Sequence, residues 1–160
     1  DVLFQYGEER HSRRIAKAIK KELEHAPINS TKKLAEIVAT AHPAWERHKH
    51  PATRSFQAIR IAVNQELDDI RGFLPQALTA LKPQGKLAVI SFHSLEDRLI
   101  KQFFLLEAKG DDLPRDLPIR ASELNPRLKI VAKMAASSAE VAENTRARSA
   151  HLRVAQKLNK

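Results

Sequence analysis

The sequence feature that most constrains the fold is an unbroken apolar run, residues 87–90, that ends in a polar cluster. Its β-branched residues and its length indicate a strand buried on both faces, as in parallel sheets that helices cover. Ser91, His93 and Ser94 follow this strand directly. Ligands of such sheets bind beyond the carboxyl ends of the strands. The run therefore predicts an α/β protein with a binding or catalytic edge at these polar residues.

The composition indicates a globular chain with a polyanionic partner. Of its 160 residues, 42% are hydrophobic, which is enough to form a core. The net charge of +9 favours nucleic acid as the partner. The alternative is a basic surface that has no specific partner. The chain has no cysteine and no apolar run of about 18 residues. We therefore expect a cytoplasmic protein with neither disulfides nor a membrane span.

Apolar periodicity predicts four helices in the first half of the chain. The first spans residues 8–24, and the second begins at a Thr31 cap. After a basic connector that holds the only tryptophan, a long helix is expected over residues 54–71. Gly72 should break that helix, and Pro75 should start a fourth, short one.

The second half of the chain is predicted to alternate helices with strands. Ser94 and Asp97 fit a capping box that starts a helix running to about residue 108. A proline-containing loop is expected over residues 109–126. The remaining predicted elements are a strand over residues 128–135, a short helix capped by Ser137 with Glu140, and a terminal strand near residues 152–158.

Connection rules for parallel sheets bring three polar clusters to one edge. In a right-handed crossover, the helix before a parallel strand begins at the carboxyl edge of the sheet, and the helix after the strand leaves from it. The last strand should then run back antiparallel. We therefore expect residues 50–54, 91–98 and 144–149 to lie side by side. Each cluster alone fits helix caps or a solvated charge run, and their convergence favours a binding site.

Four motifs in a fixed order make the chain resemble a known family. They are Tyr6-Gly-Glu-Glu-Arg10, His50-Pro-Ala-Thr-Arg-Ser-Phe-Gln57, Ser91-Phe-His-Ser-Leu-Glu-Asp-Arg98 and Glu143-Asn-Thr-Arg-Ala-Arg-Ser149. Together they resemble the bacterial MraW/RsmH family over essentially the whole chain. The resemblance implies a methyltransferase that uses S-adenosylmethionine (SAM) to modify cytidine N4 in small-subunit ribosomal RNA (rRNA). The implied partner is that rRNA or the ribosomal subunit.

The resemblance also implies an architecture. The expected fold is α/β, a partial class I methyltransferase (Rossmann-like) sheet with a helical insert domain. Residues 1–50 would belong to the helical substrate-recognition insert, and residues 51–160 to the carboxy-terminal part of the methyltransferase domain. We expect the incomplete sheet to leave apolar surface exposed or covered by another chain, so that self-association is one outcome.

The family's amino-terminal half has no counterpart in this sequence. No glycine-rich loop follows a first strand, and the four glycines are isolated. The chain begins with Asp1 and its only methionine is Met134, which fits a processed or partial chain. We therefore expect an incomplete SAM site without cofactor-binding residues here, and no activity from this chain alone.

The candidate site residues follow from the resemblance and from the chemistry of the base. The N4 lone pair of cytidine is delocalised into the ring, so an acceptor near N4 and a planar partner for the base would help. Ser91 and His93 are the candidate catalytic residues, with His93 as a candidate general base, and Asp97 is expected to be a helix cap. The candidate substrate-binding residues are His50, Thr53, Arg54, Phe92, Ser94, Asn144, Arg146, Arg148 and Ser149.

Other functions are supported less well. A hydrolase triad of Ser91, His93 and Asp97 lacks a nucleophile elbow, and alternate residues at a strand end point to opposite sides. Zinc binding by His48 and His50 lacks two further ligands, so no metal is expected. The remaining alternative is a non-catalytic, basic RNA-binding module.

Overall fold

The computed structural model describes residues 1–43, 50–110 and 124–159. They form two compact units, residues 1–66 and residues 67–160. The connector with Trp45 and His48, and most of the loop predicted after residue 109, lie outside the described residues. The domain boundary that the family resemblance implies near residue 50 stays a prediction.

The described residues of the first unit contain four helices: α1 (Val2–Gln5), α2 (Ser12–Leu23), α3 (Thr31–Ala41) and α4 (Thr53–Asn64). The predicted start of a helix at Glu8 is wrong, because a turn separates α1 from α2. Glu8 has a φ of 49°, and the N–H of Glu9 donates to the carbonyl oxygen of Leu3. The predicted cap of α3 is also one residue late, because the Ser30 side chain accepts the hydrogen bond from the N–H of Lys33.

The core of the first unit lies between these helices. Ile15 of α2, Val38 of α3 and Ala58 of α4 are fully buried, and Leu3 of α1 is 8% exposed. Burying an isoleucine or valine side chain contributes about 1.5–3 kcal/mol. The core therefore fixes the turn between α1 and α2, which carries the first family motif.

The long helix predicted over residues 54–71 ends at Gln65 and not at Gly72. Gln65 adopts a left-handed conformation with a φ of 55°, and its N–H closes the last turn of α4. Glu66, which follows Gln65, accepts two hydrogen bonds from the Arg60 side chain, Nε–Oε1 at 2.8 Å and Nη2–Oε2 at 3.0 Å. This bidentate ion pair stabilises the corner that ends α4, and apolar periodicity does not reveal it.

Helix α5 (Glu66–Ala80) runs through Pro75, so the predicted start of a new helix there is wrong. A proline in a helix interior costs about 3 kcal/mol, because it removes one backbone hydrogen bond. Leu67, Leu74 and Leu78 are buried on a stripe that continues across the proline. Burial of each leucine contributes about 1.5–3 kcal/mol, so the stripe outweighs that cost.

The second unit contains a three-stranded sheet of β1 (Lys86–Ser91), β2 (Leu128–Ala135) and β3 (His151–Lys157). The strand order is β1-β3-β2, and β3 is antiparallel to both neighbours. The predicted positions of the strands and the antiparallel course of the last one are confirmed. Parallel pairing is wrong for the described strands, because β3 separates the two strands that point the same way.

Strand β1 is not buried on both faces, contrary to the prediction. Leu87 and Val89 pack on the helix-covered face, whereas the outer face is open in the described part of the chain. On that face the register aligns Ile90 with Leu152 and Leu152 with Met134. Ile90 is 59% exposed and Met134 is 54% exposed. Leu152 between them is half-buried, so the two ends of an apolar row across three strands are exposed, as expected of an incomplete sheet.

Two helices pack on the other face of the sheet. They are α5 and α6 (Ser94–Lys109), and α6 ends about where the sequence predicts. Helix α7 (Ser138–Glu143) and a 3₁₀ helix (Thr145–Ser149) precede β3, and the predicted Ser137 cap of α7 is confirmed. Among the described residues, no helix has the length and hydropathy needed to cross a bilayer. The buried core residues are Leu74, Leu78, Ile100, Phe104, Leu128 and Ala155.

Candidate functional site

Three strand ends meet at one edge of the sheet. Ser91, the last residue of β1, and Ala135, the last residue of β2, both pair with His151, the first residue of β3. We refer to the edge formed by these three residues as the carboxyl edge. The polar clusters that follow β1 and precede β3 emerge here, so two of the three predicted clusters lie together.

A largely buried ion pair adjoins the carboxyl edge. Arg153 of β3 donates to Asp97 of α6 through Nε–Oδ1 and Nη2–Oδ2 contacts of 2.6 and 2.8 Å. The two side chains are 12% and 19% exposed. Ser91 is buried, and its hydroxyl lies 3.5 Å from Asp97 Oδ1 and 3.4 Å from the carbonyl oxygen of His151. The ion pair thus joins the first turn of α6 to β3. The Ser91 hydroxyl lies beside two acceptors, the Asp97 carboxylate and the His151 carbonyl oxygen.

This ion pair sets the charge of Asp97. The hydrogen bond from Arg153 holds the pKa of the Asp97 carboxyl below its ordinary value of 3.8, although burial opposes the shift. The same hydrogen bond raises the pKa of Arg153. Asp97 is therefore an ionised acceptor bound to Arg153. The prediction that it caps the helix is wrong.

Helix α6 is capped by His93, so the capping box predicted at Ser94 is shifted by one residue. Nδ1 of His93 accepts a hydrogen bond from the N–H of Glu96 at 3.4 Å, and the Glu96 carboxylate accepts the N–H groups of Phe92 and His93 at 2.8 and 3.3 Å. Burial raises the pKa of Glu96, but the bonds from His93 and Phe92 outweigh it, so this pKa lies below its ordinary value. The turn after β1 is thus held at both of its residues.

The capping hydrogen bond determines which ring nitrogen of His93 carries the proton. Phe92, next to it in the same turn, is exposed. Because Nδ1 accepts an N–H, a neutral His93 carries its proton on Nε2. Nε2 is buried and lies 3.2 Å from Glu96 Oε1, without hydrogen-bond geometry to any described residue. In this arrangement neither ring nitrogen has a free lone pair. Phe92 is 58% exposed, and an exposed ring on a fixed turn suits stacking on a base.

The other cluster at the carboxyl edge presents two arginines. The Asn144 side chain caps the 3₁₀ helix by accepting the N–H of Arg146 at 3.1 Å. Ala147 is buried and anchors this helix, while Arg146 and Arg148 on either side are exposed, as is Ser149. Within the part of the chain that the structure describes, neither guanidinium group forms an ion pair. Exposed, unpaired arginines suit the binding of phosphate groups.

The third predicted cluster lies in the first unit, against the motif of residues 6–10. Arg54 Nη1 donates to the carbonyl oxygen of Glu8 at 3.4 Å. A Cβ at Gly7 would lie 2.7 Å from the carbonyl oxygen of Arg54, so this approach requires glycine. His50 Nδ1 accepts a backbone N–H two residues ahead, and Thr53 is exposed at the start of α4. The position of this cluster relative to the carboxyl edge stays a prediction.

The glycines do not form a cradle for SAM. The approach at Gly7 is to the chain's own backbone, and a Cβ at Gly110, whose φ is 83°, would lie 2.8 Å from the backbone of Asn125. The other two glycines lie within α5 and in the turn before β1. The four glycines therefore supply no backbone cradle that fits the methionine and adenosine groups of SAM.

Arg153 is a site-forming residue that sequence reasoning missed. It shares a face of β3 with the buried Ala155, on the side where α6 packs. A charged residue on the buried face of a strand requires a charged partner. The alternation of β3 is the signal that identifies Arg153, and Asp97 is its partner.

Comparison with known proteins extends over nearly the whole chain. The model of the MraW methylase family matches residues 1–158. The chain is 57% identical over 162 residues to a ribosomal RNA small subunit methyltransferase H of Acinetobacter baylyi, covering 99% of this chain and 51% of that protein. Proteins of the same name from Acinetobacter baumannii and Marinomonas sp. are 57% and 56% identical over 159 and 160 residues, covering 99% of this chain and 50% and 51% of those proteins.

The chain thus spans about half the length of the curated relatives it matches. The match includes all four motifs, which the fold groups in two pairs, residues 6–10 with 50–57 and residues 91–98 with 143–149. On this match and these identities, the chain belongs to the MraW methylase family.

Proposed function

We propose that this chain is the carboxy-terminal part of a SAM-dependent methyltransferase that modifies N4 of a cytidine in small-subunit rRNA. The observation that carries the proposal is the family match over residues 1–158, because the relatives are named ribosomal RNA small subunit methyltransferase H. The net charge of +9 fits a polyanionic substrate. In this proposal the protein acts in the cytoplasm, where its partner is rRNA or the ribosomal subunit.

In this proposal the carboxyl edge holds the target cytidine and its neighbouring phosphates. Phe92 stacks on a base, and Arg146 and Arg148 bind phosphates. Ser91 and His93 are the proposed catalytic residues, and their contacts hold the turn that carries Phe92. His93 accepts a proton from N4 only after its bond to the Glu96 N–H opens, because its lone pair is otherwise occupied.

We propose the remaining assignments on the same basis. His50, Thr53, Arg54, Ser94, Asn144 and Ser149 bind the RNA by hydrogen bonds and charge. Residues 1–50 belong to the helical insert, and the three-stranded sheet is one end of a larger class I (Rossmann-like) sheet. The apolar row of Ile90, Leu152 and Met134, whose two ends are exposed, supports the last point, because helices cover both faces of such sheets.

A chimera of this chain with the remaining half of a relative tests this function. The chain is joined to the half of the Acinetobacter baylyi relative that it does not match, and this chimera is incubated with tritiated SAM and small ribosomal subunits. We expect labelled rRNA from the chimera and none from the 160-residue chain. A folded chimera that binds SAM and leaves rRNA unlabelled would contradict the proposal.

A substitution at the cap separates the two roles of His93. In the chimera, His93→Asn keeps a good N-cap and removes the imidazole. If His93 takes a proton from N4, the methylation rate falls while the unfolding midpoint is unchanged. An unchanged rate would leave His93 with its capping role alone.

The second candidate is a non-catalytic RNA-binding module, which is favoured by the net charge of +9 and by the exposed Arg146 and Arg148, neither of which forms an ion pair among the described residues. Equilibrium dialysis of labelled SAM against the chain and the chimera distinguishes the two. RNA binding by the chimera without SAM binding or labelling would support the module.

A further inference from the structure

A concave surface lies in the first unit, between α1 and the start of α2. It is a cavity of about 660 Å³, within the range of roughly 300–1,000 Å³ that small-molecule sites occupy. Residues 1–4 form one wall, and the opposite wall comes from residues 10–14 with Ala16. None of the lining residues belongs to the carboxyl edge.

The lining combines arginines with an exposed aromatic ring. Arg10, Arg13 and Arg14 are exposed, and within the described ranges no carboxylate pairs with any of them. Phe4 is 65% exposed. Among the described lining residues Asp1 alone is acidic, and these residues have an excess of positive charge.

Buried contacts behind the walls hold the cavity in shape. Leu3 belongs to the core of the first unit. Glu9 is 1% exposed, and its Oε1 accepts the N–H of His11 at 2.8 Å. The ring of His11 packs edge-on against the ring of His42, with centroids 4.9 Å apart. The hydrogen bond to Glu9 thus holds His11, the residue that directly precedes α2.

We propose that this cavity binds a nucleotide of single-stranded RNA, with the base on Phe4 and the phosphates at Arg10, Arg13 and Arg14. Stacking on aromatic rings beside a basic groove is how proteins bind single strands. The start of α2 adds positive partial charge, and none of the described side chains caps it. An anion without a base would leave Phe4 unused. The identity of the ligand as RNA rests on the proposed function.

The salt dependence of the affinity for RNA tests whether the arginines of the cavity bind phosphates. A single-stranded RNA of about ten nucleotides that contains 2-aminopurine is titrated with the 160-residue chain at several salt concentrations. Each phosphate contact contributes roughly 0.7 to the slope of log affinity against log salt, so Arg13→Ala with Arg14→Ala should lower the slope by roughly 1.4. The matched control, Lys20→Ala with Lys21→Ala, removes the same charge from the last turn of α2 and should leave the slope unchanged.

A substitution that removes the aromatic ring tests whether Phe4 stacks on a base. Phe4→Leu keeps the apolar bulk and removes the aromatic face, so the affinity should fall about fivefold or more and the quenching of 2-aminopurine should decrease. Phe73→Leu is the matched control, because Phe73 is 53% exposed and lies outside the cavity. Unfolding midpoints equal to that of the unmodified chain establish that each variant is folded.

Equal affinities and salt slopes in the cavity variants and their controls would overturn the proposal. So would a loss confined to the arginine variant, or equally strong binding of polyglutamate, because either result indicates a surface that selects charge alone. Absence of RNA binding by the unmodified chain would overturn it as well. Labelling of rRNA by the chimera is measured independently, so failure of this cavity is distinguishable from failure of the proposed function.

Discussion

Arg153 and Asp97 join the last strand to the helix that begins at the carboxyl edge, through hydrogen bonds of 2.6 and 2.8 Å. Each charge depends on the other, because both side chains are largely removed from water. Asp97 lies in the first turn of α6, next to the turn that carries Phe92 and His93. The geometry of the candidate site therefore depends on a contact between residues distant in sequence.

Removing Asp97 tests this dependence. Asp97→Ala leaves the Arg153 guanidinium without its acceptor, so the free energy of unfolding should fall by about 1–3 kcal/mol. Urea unfolding of the chain measures it. The control is Asp68→Ala, which removes the partner of Arg71 from an exposed pair and should cost about 0–1 kcal/mol. Equal losses in the two variants would mean that the Asp97 pair is energetically a surface pair.

The lowered pKa of Asp97 predicts a dependence of stability on acid. A carboxyl whose pKa is lower in the folded chain stabilises the fold above its ordinary pKa, here 3.8, and this stability is lost as pH falls through the folded value. We expect the urea midpoint of the unmodified chain to decrease below about pH 4, and that of Asp97→Asn to decrease less. Parallel curves for the two proteins would contradict this assignment.

The apolar row on the outer face of the sheet predicts self-association of the isolated chain. Ile90→Lys with Met134→Lys should shift its sedimentation towards the monomer, because the two charges interrupt the row. Val63→Lys, at a residue 73% exposed in α4, is the control and should leave sedimentation unchanged. An unmodified chain that is already monomeric at high concentration would show that the row is not an association surface.

Arg146 and Arg148, which precede β3, are expected to contribute to the salt dependence of the affinity for RNA. Arg146→Ala with Arg148→Ala should lower the slope of log affinity against log salt by roughly 1.4, the contribution of two phosphate contacts. Lys82→Ala with Lys86→Ala removes the same charge near the opposite end of β1 and should change the slope less. A slope equally affected by both pairs would indicate that net charge, and not the carboxyl edge, binds the RNA.

Local sequence patterns predict the elements whose determinants are local. The apolar runs locate β1 and β2, and Ser137 with Glu140 locates the start of α7. Helix breaks are predicted less well, because side-chain contacts decide them. The Arg60–Glu66 pair stabilises a corner at Gln65, where no breaker residue stands.

Pairing and burial of strands depend on the rest of the fold. The run of residues 87–90 is typical of a doubly covered parallel strand, yet β1 pairs with the antiparallel β3 and is covered on one face. The convergence of the clusters after β1 and before β3 follows from strand direction, which connection rules do predict. The cap at His93 differs from the predicted one by a single residue, because histidine and serine both offer an acceptor at that position.

Nucleoside analysis of methylated rRNA tests the proposed methylation of cytidine N4. The chimera is incubated with SAM and small ribosomal subunits from cells that lack this modification, and the digested rRNA is examined by mass spectrometry. We expect N4-methylcytidine, and a rate at least about tenfold lower for Arg146→Ala at an unchanged unfolding midpoint. Methylation at another atom or base, or an unchanged rate with Arg146→Ala, would contradict it.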